Sequence, residues 1–184
     1  RNLQGLDKPI LDSLGIDKNK PEKQQRNQTG SPILEEGDIL LNTTLAETND
    51  WQQVDLPVMR TLRHFCIETL SSYTEDNQAC ISEVDLLDDK GQPIDKTKWE
   101  VVYVSSEQAD KNLGIAENLF DGDISSFWHT DPATEPGQPH RIIVDIKEIY
   151  KISALRFKVR KGAFLSGKVK EINVYGRPQF FLFH

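Results

Sequence analysis

AENLFDGDISSFWHT, residues 116–130, joins an apolar lead, an acidic turn and an aromatic exit. Gly122 stands between Asp121 and Asp123, where it can take the positive φ that side-chained residues avoid. Two carboxylates, a serine hydroxyl and turned-in carbonyls are hard oxygen donors. Calcium takes about six to eight such donors and tolerates irregular geometry. The spacing is not that of an EF-hand, which needs a further acidic ligand at the end of its loop. The same residues also suit an Asx turn that holds only its own backbone. Residue types alone leave both readings open.

Outward from this loop the signals are those of strands. DILLNTTL, QQVDL, HFCIETL, ISEVDLL, WEVVYVSS, HRIIVDI, ALRFKVR, EINVYG and QFFLF are short, rich in β-branched and aromatic residues, and often alternate. Turn chemistry separates them at Asp88-Asp89-Lys90-Gly91, Pro136-Gly137, Lys161-Gly162 and Ser166-Gly167. Helical periodicity is confined to residues 8–16 and a turn at 115–120. Many short strands without alternating helices predict an all-β sandwich or jelly roll. Residues 1–30 differ: KNKPEKQQRNQTGSP is polar and has no apolar anchor, so 1–30 reads as a tail or linker and 31–184 as the domain.

Composition narrows the function. A net charge of −7 over 184 residues does not suit a phosphate backbone, which argues against nucleic acid. It argues equally against an anionic membrane surface, and no apolar run approaches the ~20 residues of a membrane helix. A chain of this length buries roughly 70% of its unfolded surface without needing a disulfide. Cys66 and Cys80 therefore read as buried thiols or as one bridge, with apolar flanks favouring thiols. Asn27-Gln28-Thr29 and Asn42-Thr43-Thr44 are glycosylation sequons. Starting at Arg1 rather than Met, the sequence reads as a piece of something larger.

Catalytic patterns are weak. GAFLSGKV, residues 162–169, matches a phosphate loop up to its last position, where Val169 replaces the hydroxyl that binds magnesium. From Lys168 onward, KVKEINVYG reads as a strand and not as the helix such a loop must open. The four histidines show no metal-ligand spacing. No enzyme is expected.

AENLFDGDISSFWHT, then PHRIIVDI, then ISALRFKVRKG, resemble the discoidin family, the coagulation factor V and VIII type C domains. The flavour is closest to the bacterial versions grouped with family 32 carbohydrate-binding modules. One departure is VDIKE, where the family has Asp-Leu-Gly. The resemblance implies a galactose-binding-like β-sandwich jelly roll and a structural calcium under the Asp-Gly loop. Its ligands would be Asp121, the carbonyls of Asn118 and Asp123, the Ser126 hydroxyl, Glu83 and the Ser82 carbonyl. In family order, however, the strand carrying Glu83 comes last. Here the closing half precedes the opening half, so a circular permutation is expected, with the usual termini joined through DDKGQPIDKTKW, residues 88–99. Termini that lie close together tolerate such rejoining.

The implied function is a non-catalytic carbohydrate-binding module, secreted, periplasmic or at the cell surface, tethered to a larger protein. Its glycan would be of galactose or hexosamine type. Sugars need planar multi-donor groups and an aromatic platform. Arg160 lies where related modules often carry Pro-Arg, with Val159 in the place of the proline. His129 follows Trp128, and strand alternation then sends His129 toward solvent if Trp128 is core. Trp51, Tyr73 and Phe164 are candidate stacking surfaces. An adhesion or protein–protein module on the same fold is the alternative.

Overall fold

The computed structural model describes Arg26 and residues 30–133, 137–159 and 167–184. Among them the regular structure is β-strand with short 3-10 turns, and no α-helix is present. The predicted all-β class is the observed one.

The strands are β1 (Pro32–Ile33), β2 (Ile39–Thr44), β3 (Gln52–Thr69), β4 (Cys80–Ile81), β5 (Glu83–Asp88), β6 (Glu100–Val104), β7 (Trp128–His129), β8 (His140–Lys158), β9 (Glu171–Arg177) and β10 (Leu182–Phe183). Two of these are longer than the sequence predicts. QQVDL and HFCIET are the ends of one strand, β3, and HRIIVDI and ALRFK the ends of another, β8. The segments between them, PVMRTLR and KEIYKIS, carry no Gly, Asn or Asp to reverse the chain. They bulge instead.

β3 and β8 pair antiparallel from Thr69↔His140 to Gln52↔Phe157, with register shifts between Leu62 and His64 and between Asp55 and Arg60. Bulges bend a strand and let it pass from one sheet to another. On one side of the bend, β9 and then β2 extend the His64–Thr69 end of β3, and β6 pairs with β8 at Ile142–Asp145. On the other side, β5 pairs with β8 from Ile152 to Lys158. Two layers thus share their two longest strands, as in a β-sandwich.

Between the layers Phe65, Ile67, Val84, Leu86, Ile142, Val144, Leu155 and Phe157 belong to one core and are fully shielded from solvent. Trp128 joins this core and donates its indole N–H to the Ser106 carbonyl at 3.0 Å. A second cluster joins Cys66, Ile143 and Tyr175, on β3, β8 and β9, to Phe181 of the C-terminal segment. The C-terminal segment covers it: β10 pairs with β1, and Phe181 is buried under that ribbon. QFFLF is therefore a cover strand held at the N-terminal edge by Ser31 and His184. Cys66 and Cys80 are buried thiols, and burial pushes the Cys66 thiol up. The helix expected over 8–16 lies outside the described residues. Arg26 of the N-terminal stretch is described, and its guanidinium meets the carboxylates of Glu107 and Glu117.

Candidate functional site

The Asp-Gly loop follows a 3-10 turn, Ala116–Phe120, that buries Ala116, Asn118, Leu119 and Phe120. Residues 121–125 are exposed, and Ser126 is buried again. Gly122 takes φ of 81°, the left-handed conformation that the sequence anticipates. The Asp121 carboxylate accepts the Asp123 N–H at 2.9 Å on Oδ1 and the Ser126 hydroxyl at 2.6 Å on Oδ2. The Ser126 Oγ also lies 2.9 Å from the Asp123 carbonyl oxygen. The Asp123 carboxylate turns outward and accepts the N–H and hydroxyl of Ser125. Asn118 pins the loop from beneath, donating from its carboxamide to the carbonyls of Asn112 and Phe127.

Glu83 opens β5 and reaches this loop. Its Oε2 accepts the Gly122 N–H at 3.1 Å. Its side chain is 1% exposed, and Oε1 has no hydrogen-bond partner among the described residues. Burial pushes the Glu83 carboxyl up to about 7, against the downward pull of the Lys96 ammonium, while the Asp121 charge adds to the rise. Ser82, beside it, is buried and donates its N–H to the Lys158 carbonyl.

Sequence reasoning missed the neighbours of Glu83. Lys96 bonds Glu83 Oε2, and its ammonium also lies 2.6 Å from Asp85 Oδ1 and 3.1 Å from the Val84 carbonyl. The other oxygen of Asp85 accepts from Arg156 at 2.9 Å. That guanidinium sits 4.8 Å over the Trp51 ring, a cation–π contact. A file of alternating charges thus runs from Glu83 through Lys96 and Asp85 to Arg156 and ends on the Trp51 ring. Glu83 and Asp85, two apart on a strand, share a face, and ISEVDLL carries that signal. Nothing local signals Lys96. An open cleft of about 570 Å³ lies alongside, lined by Asp85, Ile94, Lys96, Glu117, Phe120 and Asp121 among others.

The predicted ligand residues fare unevenly. His129 is not solvent-facing: it is 3% exposed, although Trp128 is core as anticipated. The reason is that residues 108–114 lie over it. Gln108 and Gly114 exchange backbone hydrogen bonds with His129, and a side chain at Gly114 would strike the His129 Cβ. Alternation does send the two side chains apart, but both faces of β7 are covered. Trp51 is exposed, with one ring face taken by Arg156. Tyr73 is half-buried and donates its hydroxyl to the Leu45 carbonyl at 2.7 Å, with the Lys170 ammonium 5.5 Å from its ring. Arg160 and Phe164 lie outside the described residues. The ends of their segment are placed: Val159 is buried, and Gly167 donates to Thr74 and Asp76 and accepts from Cys80. The phosphate-loop reading ends here, because the strand β9 follows GAFLSGKV.

The sequence that runs from β6 through the Asp-Gly loop to β8 and β9 is similar to a known domain type. Residues 101–179 match the F5/8 type C domain family. A sialidase from Micromonospora viridifaciens is 33% identical over 84 residues, which make up 45% of this chain and 13% of the sialidase. The chain therefore spans a small part of that relative. The F5/8 type C match begins inside β6, so β3, Glu83 and Lys96 fall before it. Yet β3 fills the place between β8 and β9 in the sheet of the matched segment.

Proposed function

We propose that this chain is a non-catalytic, extracytoplasmic carbohydrate-binding module whose Asp-Gly loop holds one calcium ion. The observation that carries the binding reading is the F5/8 type C match at residues 101–179, together with the likeness to a sialidase over only 13% of that protein's length. A segment that small points to an accessory module and not to the catalytic machinery. The calcium reading rests on the donor set. The Ser126 hydroxyl lies within hydrogen-bond distance of both the Asp121 carboxylate and the Asp123 carbonyl, three hard oxygens on one turn, and the buried Glu83 Oε1 lacks a partner among the described residues. Among the described residues no three His, Cys, Asp or Glu side chains gather around a point. Carbonyls and a hydroxyl must then complete the shell, together with Asn118 and Ser82, which suits calcium. When bound, calcium would tie the loop to β5 and supply no chemistry. The permuted order belongs to the same proposal, with residues 37–87 as the closing half of the fold.

Arg160, Phe164, Tyr73 and Trp51 are the proposed glycan contacts; His129 would act from beneath. A few hydrogen bonds exchanged with water contribute about 1 kcal/mol each. One shallow site is then nearer millimolar than nanomolar, and tethering or repetition supplies the rest. The test is a glycan-array screen in calcium with Arg160→Ala alongside. Retention on galactose- or hexosamine-type glycans, lost in the variant, is expected. A blank array with folded protein overturns the reading in favour of adhesion. That second reading has its own support: Phe180 and Leu182 are 53% and 59% exposed on the C-terminal cover segment, an apolar feature of the kind protein partners use.

A further inference from the structure

We infer that Lys96 is a built-in counter-ion of the Glu83 carboxylate and that it competes with calcium for that carboxylate. The inference rests on the calcium reading of the Asp-Gly loop and concerns a residue outside the ligand set. A carboxylate that is 1% exposed needs a compensating charge or metal. Lys96 provides one. Its ammonium has three donors and three acceptors in reach: Glu83 Oε2, Asp85 Oδ1 and the Val84 carbonyl.

The position of Lys96 is not an accident of a long side chain. Its segment is held to β5 by the Ile94 N–H on the Leu86 carbonyl and by a bridge between Leu87 and Pro93. On its other side Asp95 caps Thr97 through both its N–H and its hydroxyl. The lysine therefore arrives at the carboxylates from a fixed loop, and its side chain is 17% exposed.

Glu83 Oε1 remains without a partner among the described residues. A dication seated there would share one carboxylate with the ammonium on Oε2, and like charges at that range repel strongly where water is scarce. Asp85 gives the lysine a place to withdraw to, since its Oδ1 already bonds the ammonium. Without metal, Lys96 bridges Glu83 and Asp85. With calcium, Asp85 keeps it alone. The fold is thereby spared dependence on calcium, and calcium affinity is lowered.

The test titrates calcium chloride by calorimetry into EDTA-treated wild type, Lys96→Met and, as control, Lys98→Met, whose lysine is exposed. Thermal midpoints are taken in EDTA and in calcium. Lys96→Met is expected to bind calcium about tenfold tighter, the size of a typical coupling between two binding events. Its midpoint in EDTA should fall and be restored by calcium, while wild type and Lys98→Met shift little. Equal calcium affinity in wild type and Lys96→Met overturns this inference and leaves the calcium reading standing. No calcium binding by any of them overturns both. Should Lys96→Met fold only in calcium, the wild type decides: calcium must displace the 15N ammonium resonance of Lys96, and an unmoved resonance overturns the inference.

Discussion

Lys147 stands where the discoidin pattern has glycine, and it takes φ of 73°. A side chain in the left-handed region costs roughly 1–2 kcal/mol. Asp145 stabilises the turn: Oδ1 accepts the Lys147 N–H at 2.7 Å, and Arg63 grips both oxygens of the carboxylate. Burial works against the Asp145 charge, but the Arg63 bond and the Lys147 N–H hold its carboxyl below the usual range. Lys147→Gly is expected to keep or raise stability, whereas Lys147→Val should lower it by about 1–2 kcal/mol in urea unfolding. The sequence shows that VDIKE lacks the glycine; only the backbone shows that the conformation persists without it. Ser126 makes a second prediction at this scale. Ser126→Ala removes the 2.6 Å bond to Asp121 and is expected to cost about 1.5 kcal/mol, read as a lower urea midpoint.

Among elements, β3 and β8 decide the architecture. Each runs through both layers, so the bulges at their bend position every other strand. Short-range reading divides each of them in two because polar residues interrupt the apolar alternation at the bend. Hydrogen bonding to a neighbour carries the backbone through. β9 packs closely against this frame at Gly176. A Cβ there would stand 2.7 Å from Leu40 Cδ1 and 3.0 Å from Leu62 Cδ2. Gly176→Ala is expected to cost roughly 1–3 kcal/mol by overpacking, with the denaturant midpoint lowered and the m-value unchanged.

For the molecule as a whole, burial of titratable groups sets the response to acid. Burial pulls His64 below its ordinary value, outweighing the nearby Asp145, and it does the same to His140 despite the Asn77 carbonyl. Each is held neutral. The Phe181 N–H points at His64 Nδ1, and His140 Nε2 lies 2.6 Å from the Asn77 carbonyl while its Nδ1 has no hydrogen-bond partner among the described residues. A group with a lowered folded pKa contributes its stability above the unfolded value, about 6.5 for histidine, and loses it as pH falls through the folded value. Glu83, raised to about 7, titrates with the opposite sign. A variant comparison separates them. His140→Gln is expected to lose less thermal midpoint than wild type between pH 7.5 and 5.5. Equal losses would mean that His140 is not buried as a neutral ring.

Strand content, the Asp88–Gly91 turn and the Asp-Gly loop were legible in local sequence patterns, whereas Glu83 was linked to that loop only through the family resemblance. Alternation, turn residues and a glycine between two acids act over a few positions, and the physics that reads them is local. Tertiary structure alone decided three things. It merged four predicted strands into two, because a neighbouring strand supplies hydrogen bonds that no local pattern encodes. It buried His129, because exposure depends on what covers a residue, and the cover comes from residues 108–114. It brought Lys96 to Glu83, because a buried carboxylate draws its counter-charge from whatever segment the fold passes over it.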